Sequence, residues 1–218
     1  LNMNGVKVGS DFLIHEGSEF VEVTLIGAKI GGQLLTMGSK FTGKLDMHGI
    51  EVKGALAMHE NSKFSEVDIL GAKVGGQLIM TGSKFMGKLN LNKIEVNDSL
   101  YMGKEAEFID VDLNFAKIGG QLDLRNSKFT GKLNMNNIEV NDTLCMHNGA
   151  EFTEVDIAGA RIGRQLIMTG SKFIGKLNLH SIEVNDDLYM DKNAEFMEVD
   201  LSFAKIGGQL DLSNSKFT

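Results

Sequence analysis

The side chains able to do chemistry are few in this sequence, and their spacing is informative. Cys145 is the single cysteine, followed by Met146 and His147. A thiol beside an imidazole could serve as an activated nucleophile, but the alternation of an extended segment supplies no Cys–His pairing here. Cys145 is expected as an incidental exposed thiol. Asp110-x-Asp112 and Glu154-x-Asp156 present paired carboxylates. A calcium ion needs six to eight oxygens, and no glycine-rich aspartate loop is present. His15 and His59 stand two turns of the repeat described below apart, roughly 9–10 Å at the inter-strand spacing. That is too far for one zinc ion. His147 shares their column, while His48 and His180 lie in another, six turns apart. "GAKIGG" at 27–32 is not a phosphate loop, because no helix follows it. "NDS" at 97 and "NDT" at 141 match a glycosylation acceptor but occupy corners of the repeat. Catalytic, cofactor-binding and metal sites are therefore all expected to be absent, and the chain is not expected to be an enzyme.

Those residues are positioned by a strict internal repeat. "GAKIGGQL" at 27–34 returns at 71–78, 115–122, 159–166 and 203–210 with small changes, each copy 44 residues after the last. Each period holds two related halves of 22 residues, giving ten units that start at 1, 23, 45, 67, 89, 111, 133, 155, 177 and 199. Every unit carries four apolar-x-apolar pairs, as in Leu133/Met135, Ile138/Val140, Leu144/Met146 and Ala150/Phe152. Residues i and i+2 of an extended segment face the same way, so each pair is a short strand turned inward. Successive pairs are five or six residues apart, where a helix would need three or four. A leucine-rich repeat would need an apolar return at helical spacing, and the pairs instead run all the way round. The predicted fold is all-β: a four-sided parallel β-helix of about ten 22-residue turns, a rod roughly 48 Å long at strand spacing. Residues 1–218 form a single solenoid domain, expected to be a segment of a longer array. The glycine pairs at 31–32, 75–76 and 119–120, and Asn-Asp in the alternate turns, are expected to supply φ > 0 between the second and third sides.

The inward pairs resemble the small-x-Leu/Phe spacing of the pentapeptide-repeat family, and the resemblance spans essentially the whole chain. It implies a right-handed quadrilateral β-helix. The family's turn is twenty residues, whereas two of the four steps here are six residues long. The sequence also resembles long bacterial "IGGxLxL" repeat proteins, some of which are labelled membrane-associated oxidoreductases. No cofactor motif in this chain supports that activity. Some pentapeptide-repeat proteins are acidic duplex mimics that bind DNA-processing enzymes such as gyrase, which makes that the alternative function.

Outward residues explain why the turns come in two kinds. The middle of the second pair reads Lys7, Lys29, Glu51, Lys73, Glu95, Lys117, Glu139, Arg161, Glu183, Lys205 up the stack, with the sign alternating at every turn after Lys29. Lys and Glu also alternate through most of the fourth side, and acidic residues alternate with Lys without exception just before the first side. Opposite charges on neighbouring strands support each other, and a slip by one turn would set like against like. The first side instead alternates Asp and Asn from residue 68 onward, which suggests side-chain amide ladders. The third side breaks the pattern with an apolar line, Leu13, Leu35, Ile79, Tyr101, Cys145, Ile167 and Tyr189, interrupted by Asp123 and Asp211. It is the candidate interaction stripe.

Composition agrees with a packed interior. The chain is 42% hydrophobic, with 26 Gly and no Pro or Trp. A net charge of -7 argues against nucleic-acid binding. No apolar run is long enough to span a membrane. One cysteine forms no internal disulfide and slightly favours a reducing, cytoplasmic setting. The expected function is a non-catalytic structural scaffold that binds an unknown protein partner or associates with itself end to end, since neither end shows a polar capping repeat.

Overall fold

A computed structural model describes residues 1–15 and 17–218. Thirty-one strands are found among the described residues, with no helix, and every strand pairing is parallel. Each strand pairs with its counterpart one turn away, so the chain coils as a β-solenoid of about ten turns. On the second side Lys29 stands opposite Glu51, and on the third Leu78 opposite Leu100. Both spacings equal the 22 residues predicted. The eight inward residues of the turn at 133 are all buried, as are those of the turn at 155.

Four separate ladders are expected and three sheets are found. The second and third sides form one ten-stranded sheet each. The fourth side and the following first side share an eleven-stranded sheet, because the chain stays extended round their common corner in strands such as Lys40–Asp46 and Lys63–Asp68. That corner also holds the physical difference between alternate turns. Phe41 pairs with Phe64 and Phe64 with Phe85, offsets of 23 and 21 residues, while Leu45, Val67 and Leu89 keep an even 22. One residue thus moves from the fourth–first corner to the third–fourth corner in every second turn. The longer third–fourth corners absorb it with two consecutive left-handed residues, as at Lys104–Glu105 and Lys192–Asn193. The shorter ones use a single left-handed residue, as at Gly82 or Asn126.

The corner assignment made from sequence needs correction. The glycines between the second and third sides do not have positive φ, and neither do the Asn-Asp pairs. The first glycine of each pair is favoured by crowding: a Cβ on Gly75 would collide with the Lys53 carbonyl oxygen of the turn before, and one on Gly31 would lie 2.5 Å from the Gly9 oxygen. The left-handed position lies instead between the first and second sides, at Gly27, Gly49, Gly71, Lys93, Phe115 and their counterparts. The Asp/Asn column prepares this corner. Asp68 Oδ1 accepts from Leu70 N at 3.1 Å, and Asp112 Oδ1 from Asn114 N at 3.0 Å, an Asx turn one residue ahead of the left-handed residue. The amide ladder is present as well, since Asn90 Nδ2 donates to Asp68 and Asn178 Nδ2 to Asp156, at 3.0 and 2.9 Å.

The core is one continuous cluster along the rod. Its fourth side is a file of ten phenylalanines from Phe20 to Phe217, with successive centroids 4.8–5.2 Å apart and planes within 13–19°. The partner residue in each of these pairs is Ser or Ala because the rings fill the corner. Burying one such ring contributes about 1.5–3 kcal/mol, and only a stacked neighbour completes the burial.

Candidate interaction surface

The third-side residues stand in one line along the rod. Leu13, Leu35 and Ala57 stand in register; further along the rod come Ile79, Tyr101, Asp123, Cys145, Ile167, Tyr189 and Asp211. Its members are unequally accessible. Leu13 is exposed, Leu35, Ile79, Tyr101, Ile167 and Tyr189 are half-buried, and Cys145 is buried. The expectation of an exposed thiol is therefore wrong: Cys145 is only 6% exposed. It is short and recessed between Asp123 and Ile167, and Gln121 Nε2 lies 3.3 Å from its sulfur. Burial, reinforced by the negative charge of Asp123, pushes the thiol up to about 11. A thiol so placed is protonated and unreactive at neutral pH.

The interruptions of the line have a structural cause. Asp123 Oδ1 accepts from Arg125 N at 3.0 Å, and Asp211 Oδ1 from Ser213 N at 2.9 Å. Each is an Asx turn leading to a left-handed asparagine, Asn126 or Asn214. Where that corner carries glycine instead, at Gly38, Gly82 and Gly170, the outward residue is Leu35, Ile79 or Ile167. Asp123 is further held by Arg125, whose Nε and Nη2 lie 2.9 and 2.6 Å from its two oxygens.

The charge columns form ion pairs of uneven closeness. On the second side Lys29 reaches Glu51 at 3.0 Å, Arg161 reaches Glu139 at 3.2 Å, and Lys205 reaches Glu183 at 2.7 Å. Lys205 holds the Glu183 carboxyl below its ordinary range. On the fourth side Lys84 meets Glu107 at 2.7 Å. In the column before the first side, in-register pairing occurs in every second gap: Lys132 stands opposite Glu154, while at the shifted corner Asp110 is not its strand partner and accepts from Lys132 N at 2.9 Å instead. Lys132 Nζ lies 3.0 Å from Glu154 and 3.8 Å from Asp156. Lys44 likewise bridges Asp46 and Asp68. The histidine columns bring no two imidazoles together around a metal position, and no cluster of three His, Cys, Asp or Glu suited to a metal occurs among the described residues.

Sequence reasoning missed a set of exposed apolar side chains on either edge of the first side. Met86 and Ile109 sit at the fourth–first corner of adjacent turns, and Ile174 and Met197 repeat them four turns on. At the other edge of the same first side, Phe115 is 53% and Phe203 79% exposed, and both have positive φ, 58° and 60°. A bulky residue in that region is a genuine outlier. Glycine fills the same position in five of the ten turns: Gly5, Gly27, Gly49, Gly71 and Gly159. Phenylalanine in a glycine column was the signal in the sequence.

No family model matches the sequence. No curated protein matches it either. Among solved structures the chain is similar to HetL, a pentapeptide repeat protein involved in heterocyst differentiation regulation from the cyanobacterium Nostoc sp. strain PCC 7120. Identity is 14%, the alignment covers 98% of this chain and 88% of that chain, and the TM-score is 0.28. The coil, its register and its filled interior are given by the strand pairing itself, independently of that likeness.

Proposed function

We propose that this chain is a non-catalytic scaffold, a rigid rod that holds a twice-repeated apolar contact unit for a protein partner. The observation that carries the reading is the pair Phe115 and Phe203. Each spends roughly 1–2 kcal/mol on left-handed backbone; Phe115 leaves its ring half in water, and Phe203 repeats it in the last turn with its ring edge-on to His180 at 5.3 Å, a choice that folding alone does not favour. Met86 with Ile109, and Ile174 with Met197, flank them across the first side. The two units stand four turns apart, about 19 Å at strand spacing, so a partner engaging both gains from the second at high effective concentration. An interior filled along its whole length supports a structural role over a catalytic one. The duplex-mimic alternative asks for an unbroken anionic stripe, and Lys44 and Lys132 reach into the Asp column here.

Sedimentation velocity across a concentration series, on the chain and on a Phe115→Gly Phe203→Gly variant, tests this with a second copy as the probe partner. Association that weakens in the variant supports the reading. Association that survives both substitutions points to end-to-end stacking of turns instead. A chain that stays monomeric, with a variant no more soluble than the parent, overturns it.

A further inference from the structure

The chain contains two Asn-Gly steps, Asn4-Gly5 and Asn148-Gly149, and the fold treats them differently. An Asn-Gly step modifies itself when the glycine nitrogen attacks the asparagine side-chain carbonyl. A C–N bond forms to the glycine nitrogen, the amide C–N bond breaks, and ammonia leaves with the glycine N–H proton. Water then opens the cyclic imide at either carbonyl to give aspartate or isoaspartate. The reaction needs a free glycine N–H and an accessible side-chain carbonyl.

At Asn4 the first condition is not met, and the side chain is held by the next turn. Gly5 N donates to Ile26 O at 2.8 Å, and Asn4 Oδ1 accepts from Ile26 N at 3.0 Å. At Asn148 both are met. This step forms a long third–fourth corner with both residues exposed and left-handed, φ 59° and 76°. In the sister corners the second nitrogen is tied to the following turn: Asn61 to Gly82, Glu105 to Asn126 and Asn193 to Asn214, at 3.2, 2.7 and 2.6 Å. Gly149 N donates to no acceptor among the described residues. A Cβ on Gly149 would meet nothing within 4 Å. His147 Nδ1 lies 2.9 Å from Asn148 Oδ1, and as the Nδ1–H tautomer it polarises the carbonyl that is attacked.

We propose that Asn148 is a site of spontaneous modification in the folded rod, converted to aspartate and isoaspartate while Asn4 is protected. The products add one negative charge to an exposed corner, and the isoaspartate also lengthens its backbone by a methylene. The test is to incubate the folded chain at mildly alkaline pH and follow both sites by peptide mapping with tandem mass spectrometry. An isoaspartyl methyl-acceptor assay runs in parallel, with the urea-unfolded chain as reference. Asn148 is expected to convert roughly tenfold faster than Asn4 in the folded chain, reflecting the two hydrogen bonds that hold Asn4. The two sites are expected to convert at similar rates once unfolded. Asn148→Gln is expected to remove most of the methyl-acceptor signal. Equal rates at both sites in the folded chain, or an intact Asn148 that converts only in urea, overturn the proposal.

Discussion

Replacing Glu139 with lysine tests the charge columns where they are most regular. Glu139 stands in register between Lys117 and Arg161, and its carboxylate lies 3.2 Å from Arg161 Nη1. Glu139→Lys removes that pair, a loss of about 0.2–1 kcal/mol for a partly exposed bridge. It also stacks three cations on consecutive strands. Two like charges about 5 Å apart repel by about 0.8 kcal/mol even at the dielectric constant of water, and the new lysine has two such neighbours. The total is about 2 kcal/mol at low salt. For a chain of this size that lowers Tm by roughly 4–8 °C. At 1 M salt the screening length falls to about 3 Å, so most of the loss disappears. Glu139→Gln is the control, since it removes the bridge without adding repulsion and should cost well under half as much. Thermal melts of the three proteins at low and high salt decide the matter. A Glu139→Lys defect that persists unchanged in high salt, or a Glu139→Gln defect of equal size, refutes electrostatic pairing between turns.

The two uses of glycine separate under alanine substitution. Gly71→Ala places a Cβ in open space at φ 63° and should cost about 1 kcal/mol. Gly75→Ala drives a Cβ into the Lys53 carbonyl of the adjacent turn and should cost about 3 kcal/mol. Urea midpoints in the reverse order would contradict the crowding explanation. Cys145 should label far more slowly with a thiol reagent in the folded chain than in urea. Its folded pKa of about 11 exceeds the ordinary 9.0, so the unfolded state releases its proton first as pH rises. The stability from the neutral buried thiol is complete below about pH 9 and is lost as pH rises through 11. Relative to Cys145→Ala, the parent chain should lose up to about 2 kcal/mol across that window. Parallel pH-stability curves for the two proteins would refute the assignment.

Much of this architecture could be read from the residues alone, for identifiable reasons. Inward pairs such as Leu133/Met135 and Leu144/Met146 announce themselves because burial tolerates few residue types, and the repeat shows the same choice many times. Register followed from the 22-residue period, and the charges support it, since Glu139 between Lys117 and Arg161 disfavours a slip by one turn. The corners were less legible. Gly75 and Gly71 look alike in a sequence, yet one is there for want of space and the other for its backbone angle. The sliding residue that distinguishes Phe41–Leu45 from Phe64–Val67 leaves the 22-residue period intact, so it passes unnoticed until the strands are paired. Accessibility along the third side was hardest. Cys145 and Ile167 occupy equivalent outward positions, and only the bulk and reach of their neighbours decide that one is hidden. Phe115 and Phe203 escaped notice because attention to apolar residues at i and i+2 passes over the loops between them.

The sliding corner residue restricts how a rod of this kind can change length. A single turn added or removed would bring two long corners, or two short ones, together and set cation against cation on several faces at once. A pair of turns inserted as a block restores every contact at both junctions. Growth by unequal recombination is thereby biased toward whole double turns, since a single added turn multiplies the like-charge contacts that this rod carries in only a few places, such as Lys40, Lys63 and Lys84.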